Sequence, residues 1–197
     1  MDLTMEQKNL PTQDEINRFV GVAHGDFDTV KRMLEANPAL LNGNALWQET
    51  AIQAAAQTGR VSIAEYLLAA GAPLDICTAA MLGLQDRLAK FLEEEPASAS
   101  ARGAHDIPVL YFAVIRGHRQ VAEILLAAGA DPNAGDGGTT PLHGAILFAQ
   151  EGMVDWLLKH GAKPDLKNYE GKTPLELAMA GGNEAIINRL KAALNLL

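Results

Sequence analysis

A residue that closes a helix returns along this chain at a nearly constant interval. Six helix-turn-helix segments lie on one another in phase. The residue ending the first helix of each is Gly25, Gly59, Gly83, Gly117, Ala149 and Gly182. Most of these intervals are about 33 residues, and the step from Gly59 to Gly83 is about ten shorter. The clearest copy is DIPVLYFAVIRGHRQVAEILLAAGADPN, residues 106–133. Its first helical pattern stops at Gly117, and its second runs from His118 to Ala128 and stops at Gly129. Gly71 and Gly161 close the second helices of two other copies. Glycine suits such ends because a left-handed residue best closes a helix. Units of this length bury their apolar faces only by stacking on neighbours. The sequence therefore predicts an all-α solenoid of about six repeats. Their approximate ranges are 13–38, 50–72, 73–96, 107–130, 140–162 and 173–197, after an N-terminal extension, 1–12.

Two repeat families share this period. The Trp, Leu-Gly, Tyr and Pro pattern of tetratricopeptide repeats does not recur. The chain resembles the ankyrin repeat instead. Thr140-Pro141-Leu142-His143 is that family's T-P-L-H signature in full, and Thr173-Pro174-Leu175-Glu176 keeps three of its four residues. Thr50-Ala51-Ile52-Gln53 and Pro108-Val109-Leu110-Tyr111 are eroded copies, and Leu-Leu-x-x-Gly-Ala appears at 67–72, 125–130 and 157–162. The resemblance covers roughly residues 13–194. It implies short β-hairpin fingers between helix pairs and a His143 imidazole tied to backbone and to the motif Thr140. The motif has its own physical sense, because a hydroxyl caps a helix start and proline suits the first turn.

Composition narrows the function. The chain has 197 residues and a formal charge of -8, and 48% of it is hydrophobic. That is too apolar for disorder at this charge. An acidic chain with no basic stripe argues against nucleic acid or anionic lipid as partner. No apolar run is long enough to span a membrane, and MDLTMEQKNL holds no apolar signal core. A cytoplasmic location is expected. The lone Cys77 excludes an internal disulfide and reads as a small buried hydrophobe.

The segments differ in quality. Residues 1–11 are polar and unperiodic, and are expected to be loose. Thr12-Gln13-Asp14-Glu15 then reads as a capping box. Asn17, Arg18, Lys31 and Arg32 are expected to give the first repeat its polar outer face. Asn37 to Glu49 is long enough for a finger with Leu46-Trp47 on it. Trp47 either anchors a partner or folds back over the neighbouring repeat. The third repeat starts early, so Ala72 to Asp75 leaves no room for a finger. Ala97 to His105 reads as a soft linker, which makes 76–96 the expected weak joint of the array. Asp131 to Thr139 is a Gly-rich turn without the Lys and preceding strand of a phosphate loop. Lys163 to Lys172 is a full-length finger carrying Tyr169. The last repeat ends in an apolar stripe that includes Leu194 and Leu197, with Leu196 beside it.

No catalytic constellation emerges. The histidines are His24, His105, His118, His143 and His160, and none forms a metal pair such as H-E-x-x-H. Cys77 has no partner for a zinc site. No cofactor and no metal is expected, and no enzyme activity. What remains is a surface. The resemblance implies a concave groove built from fingers and first-helix ends. Carried onto this sequence, it gives Met81, Leu82, Ile115, Arg116, Leu147 and Phe148 as groove residues, with Trp47 and Tyr169 on fingers. Such positions are normally polar, so five large apolar side chains there suggest an interface. The expected function is a protein-binding module, monomeric or weakly homodimeric. The alternatives are a homodimerising scaffold, through that groove or the C-terminal end, and a small-molecule site or enzyme near Cys77 and His105.

Overall fold

The computed structural model describes residues 10–195. Most of the segment expected to be loose, and the terminal Leu196 and Leu197, lie outside the described residues. The chain divides into two compact units, Met1–Leu74 and Asp75–Leu197. The division falls where the short interval removes a finger.

The first unit contains α1 (Gln13–Val22), α2 (Phe27–Ala36), α3 (Ala51–Gln57) and α4 (Val61–Ala69). Within it α1 packs on α3 and α2 on α4. Phe19, Val20, Ala54, Ala55, Ile63 and Leu67 form its core. The second unit contains α5 (Ile76–Met81), α6 (Gln85–Glu94), α7 (Val109–Val114), α8 (Arg119–Ala127), α9 (Pro141–Leu147), α10 (Glu151–Lys159), α11 (Pro174–Gly181) and α12 (Glu184–Ala193). Its first helices stack in the order α5, α7, α9, α11, while α6 packs on α8 and α10 on α12. Every residue of α5 and α7 is buried. Small side chains such as Ala79, Ala80, Ala113 and Ala145 let these helices approach closely. The fold class is all-α, as the sequence predicts.

The starts of the helices follow from local chemistry. Thr12 and Thr173 form capping boxes with Glu15 and Glu176, and Thr50 forms one with Gln53. Each box satisfies N–H groups that the first turn leaves open. The backbone and hydroxyl of Thr12 and Thr173 hold the carboxyls of Glu15 and Glu176 below their ordinary range. Asp75 accepts from the Thr78 N–H at 2.6 Å. Where the motif is complete, histidine takes the acidic position and reaches farther. His143 Nδ1 meets the Thr140 hydroxyl at 2.8 Å, and His143 Nε2 lies 3.2 Å from the Lys172 carbonyl. A carbonyl only accepts, so Nε2 carries the proton and Nδ1 accepts from Thr140. Pro141, Leu142 and His143 are buried, as is Pro174. One imidazole thus joins the start of α9 to the finger of the next repeat, as the motif implies.

The helix ends also match the expectation. Gly59, Gly83, Gly117 and Gly182 are left-handed, with φ between 64° and 72°, and Ala149 takes φ 51° at the equivalent place. After Gly59, Gly83, Gly117 and Ala149 the next N–H bonds five residues back, as from Leu84 to Ala79 at 3.0 Å and from His118 to Ala113 at 3.0 Å. This six-to-one bond marks the Schellman closure. Gly71, Gly129 and Gly161 close α4, α8 and α10 the same way. Gly25 departs from the series. Its φ is not positive, and the Asp26 N–H bonds to the Val22 carbonyl instead. A Cβ there would sit 3.3 Å from the Arg60 guanidinium, a tight contact with the end of a long side chain.

The fingers are tight turns, not strands. Among the described residues β pairing is limited to single antiparallel bridges, Asn44 with Thr50 and Arg102 with Pro108. The second bridge corrects the soft linker expected at 97–105. Two short 3-10 segments, Pro96–Ser100 and Ala104–Asp106, flank it. The Gly103 N–H bonds to the Ile107 carbonyl at 2.8 Å. Gly103 lies flat on Phe112, where a Cβ would come within 2.6 Å of the ring. The linker reasoning behind a weak third repeat therefore fails, and α5 is among the most buried helices of the unit. The last two fingers join through Gly137 N–H to Lys167 O and Tyr169 N–H to Gly138 O.

Candidate protein interface

Within the second unit, the turns after the first helices are pinned side by side. His118 Nε2 lies 3.0 Å from the Met81 carbonyl, and Gln150 Nε2 donates to the Ile115 carbonyl at 3.1 Å. In each case the side chain that opens a second helix closes the preceding repeat's first helix. Arg60 does the same in the first unit, donating from Nε to the His24 carbonyl at 2.8 Å. Gly83 and Gly117 leave the space this needs, because a Cβ would lie 2.8 Å from the His118 ring and 2.9 Å from Gln150 Oε1. The row formed by Leu82, Arg116 and Phe148 is therefore continuous by hydrogen bonding and not by proximity alone.

The apolar patch expected along this row is smaller than the sequence suggests. Met81 and Ile115 are fully buried, so neither can face a partner. Ile115 and Tyr111 pack over Gly144, whose missing Cβ would meet Tyr111 at 2.5 Å and Ile115 at 3.1 Å. A glycine inside α9 thus opens a notch that the preceding repeat fills. That glycine is the sequence signal that separates Ile115 from Leu147. Leu147 does face solvent, at 55% exposure. Leu82 and Phe148 are half-buried, and Arg116 is exposed. The Phe148 ring stands edge-on to Tyr111 with centroids 6.5 Å apart. Burial pushes the Tyr111 phenol up to about 12, so it stays neutral. Met179, absent from the expected set, is exposed at the end of α11.

The two finger aromatics behave differently. Tyr169 is 71% exposed beside an ion pair between Lys172 and Glu170. Trp47 is only partly exposed and donates its indole N–H to Glu49 Oε2 at 2.7 Å. Glu49 is fully buried and also accepts from Gln57 at 2.7 Å, with His24 Nε2 3.6 Å away. Asn17 and Gln13 tether the same finger, accepting from the Leu46 N–H and donating to the Asn44 carbonyl. Asn17, expected on the polar outer face, serves the finger instead. Trp47 folds back by its polar edge and shows only ring surface. Leu46 stays exposed beside it.

The groups considered for chemistry do not converge. The Cys77 thiol is buried, and that burial pushes its pKa up. His105 is exposed at the edge of an open cleft of about 510 Å³, lined by Arg102, Asp106, Asp131 and Asp136 among others. His160 Nδ1 bonds to its own helix at the Trp156 carbonyl, 2.7 Å away. Among the described residues no His, Cys, Asp or Glu cluster has metal-binding geometry, and no helix is long and apolar enough to cross a membrane.

Comparison with known proteins agrees with the motif and the fold. The family model described as "Ankyrin repeats (3 copies)" matches residues 19–136, 76–168 and 110–195. The chain belongs to the ankyrin-repeat family. Cyclin-dependent kinase 4 inhibitor B of Rattus norvegicus is 34% identical over 134 residues, covering 64% of this chain and 98% of that protein. Human 2-5A-dependent ribonuclease is 39% identical over 95 residues, 46% of this chain but 13% of that protein. Human BCL-6 corepressor-like protein 1 is 33% identical over 101 residues, 51% of this chain and 6% of that protein. The chain thus spans nearly all of the first relative and a small part of the other two. The ribonuclease match covers 13% of that protein, so it carries no reaction over to this chain.

Proposed function

We propose that this ankyrin-repeat chain is a non-enzymatic protein-binding module. Its partner docks on the fingers and first-helix ends of the second unit, with Leu147, Phe148, Arg116 and Tyr169 in contact. The observation that carries this reading is Leu147. It ends an otherwise buried helix with its side chain in water, where it contributes nothing to the inter-repeat core. Four of the five histidines are meanwhile engaged with backbone carbonyls, His118 and His143 across repeats and His24 and His160 at their own helix ends. The relative spanned almost end to end is named as an inhibitor of a kinase, which fits binding rather than catalysis. The partner is a protein rather than nucleic acid or membrane, the location is cytoplasmic, and the chain is a monomer or weak homodimer. Affinity capture with wild type against Leu147→Glu tests this. Partners should be lost with Leu147→Glu while the circular dichroism spectrum is unchanged. An identical partner set for both proteins places the interface elsewhere. Sedimentation at micromolar concentration separates a homodimer, which the same substitution should dissociate.

A further inference from the structure

The charge distribution along the turn row is unlike that of the rest of the chain. The protein carries 24 carboxylate residues against 16 Lys and Arg. Yet the four turns of the second unit, residues 81–83, 115–117, 147–149 and 179–182, contain no carboxylate and a single cation, Arg116. Arg116 is exposed, and among the described residues it takes part in no ion pair. The nearest arginine in sequence, Arg119, is paired with Glu123 at 2.9 Å. Arg189 is paired with Glu151 and Asp155. Arg116 is fixed in place through its chain neighbours, since Ile115 accepts from Gln150 and Gly117 packs against it. Leu147 and Phe148 lie in the next turn, just ahead of the Gln150 that makes that bond.

We infer that the segment docking here is apolar and carries a carboxylate that pairs with Arg116. This rests on the binding reading given above and names the chemistry of its partner. An acidic protein repels acidic partners at long range, so a stripe free of carboxylates with one open guanidinium is the place where an acidic segment approaches at least cost. The planar guanidinium binds a carboxylate through two parallel N–H donors, which also sets the orientation of the incoming chain. Leu147 and Phe148 supply apolar area one repeat along the row, and the exposed Met179 extends it by one repeat more. A basic segment would lose the Arg116 contact and meet like charge there.

A phage library of random 12-residue peptides, selected on the full chain, tests this directly. The enriched peptides should combine Leu, Ile or Phe with Asp or Glu. Arg116→Glu should weaken them by roughly tenfold or more, because the swap sets like charges together. Exchanging the peptide carboxylate for Lys should restore binding to that variant. Leu147→Ser should weaken the same peptides without altering any charge. Peptides that need Leu147 but lack a carboxylate, or ignore Arg116→Glu, overturn this inference and leave the docking site standing. Peptides that bind Leu147→Ser as tightly as wild type overturn both. Enrichment no better than on Leu147→Ser also overturns both. Arg116→Gln removes the charge without reversing it and is the control if Arg116→Glu proves unstable.

Discussion

Gly83→Ala tests how the repeats of the second unit are coupled. Gly83 sits at φ 72°, so an alanine there costs about 1 kcal/mol or more in backbone strain. It also places a Cβ 2.8 Å from Nδ1 and Cε1 of His118. The ring must move, and it then leaves the Met81 carbonyl that it meets at 3.0 Å. Losing that bond costs roughly 0.5–1.5 kcal/mol. The expected total is about 1.5–2.5 kcal/mol or more, the sum of these two effects. Gly129→Ala separates them. Gly129 has φ 97° with nothing within 4 Å of its missing Cβ, so only a backbone cost applies, at least about 1 kcal/mol because φ 97° lies beyond the left-handed well. Gly129→Val should cost somewhat more, because a β-branched residue fits positive φ worst. In a His118→Ala background, Gly83→Ala should cost about 1 kcal/mol less than in wild type, a coupling that a double-mutant cycle isolates. The assay is urea unfolding followed by circular dichroism at pH 7. All three positions lie in the second unit, so the transition of that unit is the one compared. The reasoning fails if the His118 coupling is absent, so that Gly83→Ala costs as much in the His118→Ala background as in wild type.

The remaining expectations follow from single contacts. Burial pulls His118 and His143 below the ordinary histidine range, against the pull of the Met81 and Lys172 carbonyls. The unfolded chain then binds protons more readily, so stability is full above about pH 6.5 and falls as pH drops below it. The urea midpoint of the second unit should therefore decrease from pH 7 to pH 5, and His143→Gln should flatten that slope; a midpoint that rises on acidification contradicts the assignment. His143→Gln should alter stability only mildly and no chemistry. Trp47→Phe leaves the fully buried Glu49 without its indole donor and should cost about 1.5–3 kcal/mol, as bonds to charged groups do; an unchanged melting curve would show the bond to be idle. Ala149→Gly should leave stability unchanged or raise it by up to about 1 kcal/mol, since relief at φ 51° outweighs the added chain entropy. A clear loss on thermal melting would mean the alanine methyl packs usefully there.

Much of the fold is legible because its signals are local. A Thr followed three residues later by Glu, Gln or His marks four of the capped starts, and Asp26, Asp75 and Asn183 mark three more. A Gly at the helix end marks a left-handed closure, and even the out-of-place Ala149 adopts it. The site is less legible. Leu147 and Ile115 stand at equivalent positions in their repeats, yet one is exposed and the other fully buried. Nothing at either position distinguishes them, because the difference comes from the notch that Gly144 opens one repeat away. Trp47 is similar. An exposed finger aromatic and a folded-back one read alike until Glu49 is known to be buried beneath it.

The sequence by itself determined the repeat and its phase, the caps, the helix-closing glycines and the acidic balance. Each depends on the chemistry of one residue or on spacing along the chain, and neither changes when the chain folds. Tertiary structure alone decided which apolar side chains at the turn row reach water, and that the Ala-, Ser- and Gly-rich 97–105 segment is pinned rather than loose. Those outcomes depend on what the next repeat leaves open: Gly144 beneath Tyr111 and Ile115, and Phe112 beneath Gly103. Packing against a neighbour nine or some thirty residues away has no local signature, so the surface that remains for a partner is fixed only when the repeats are stacked.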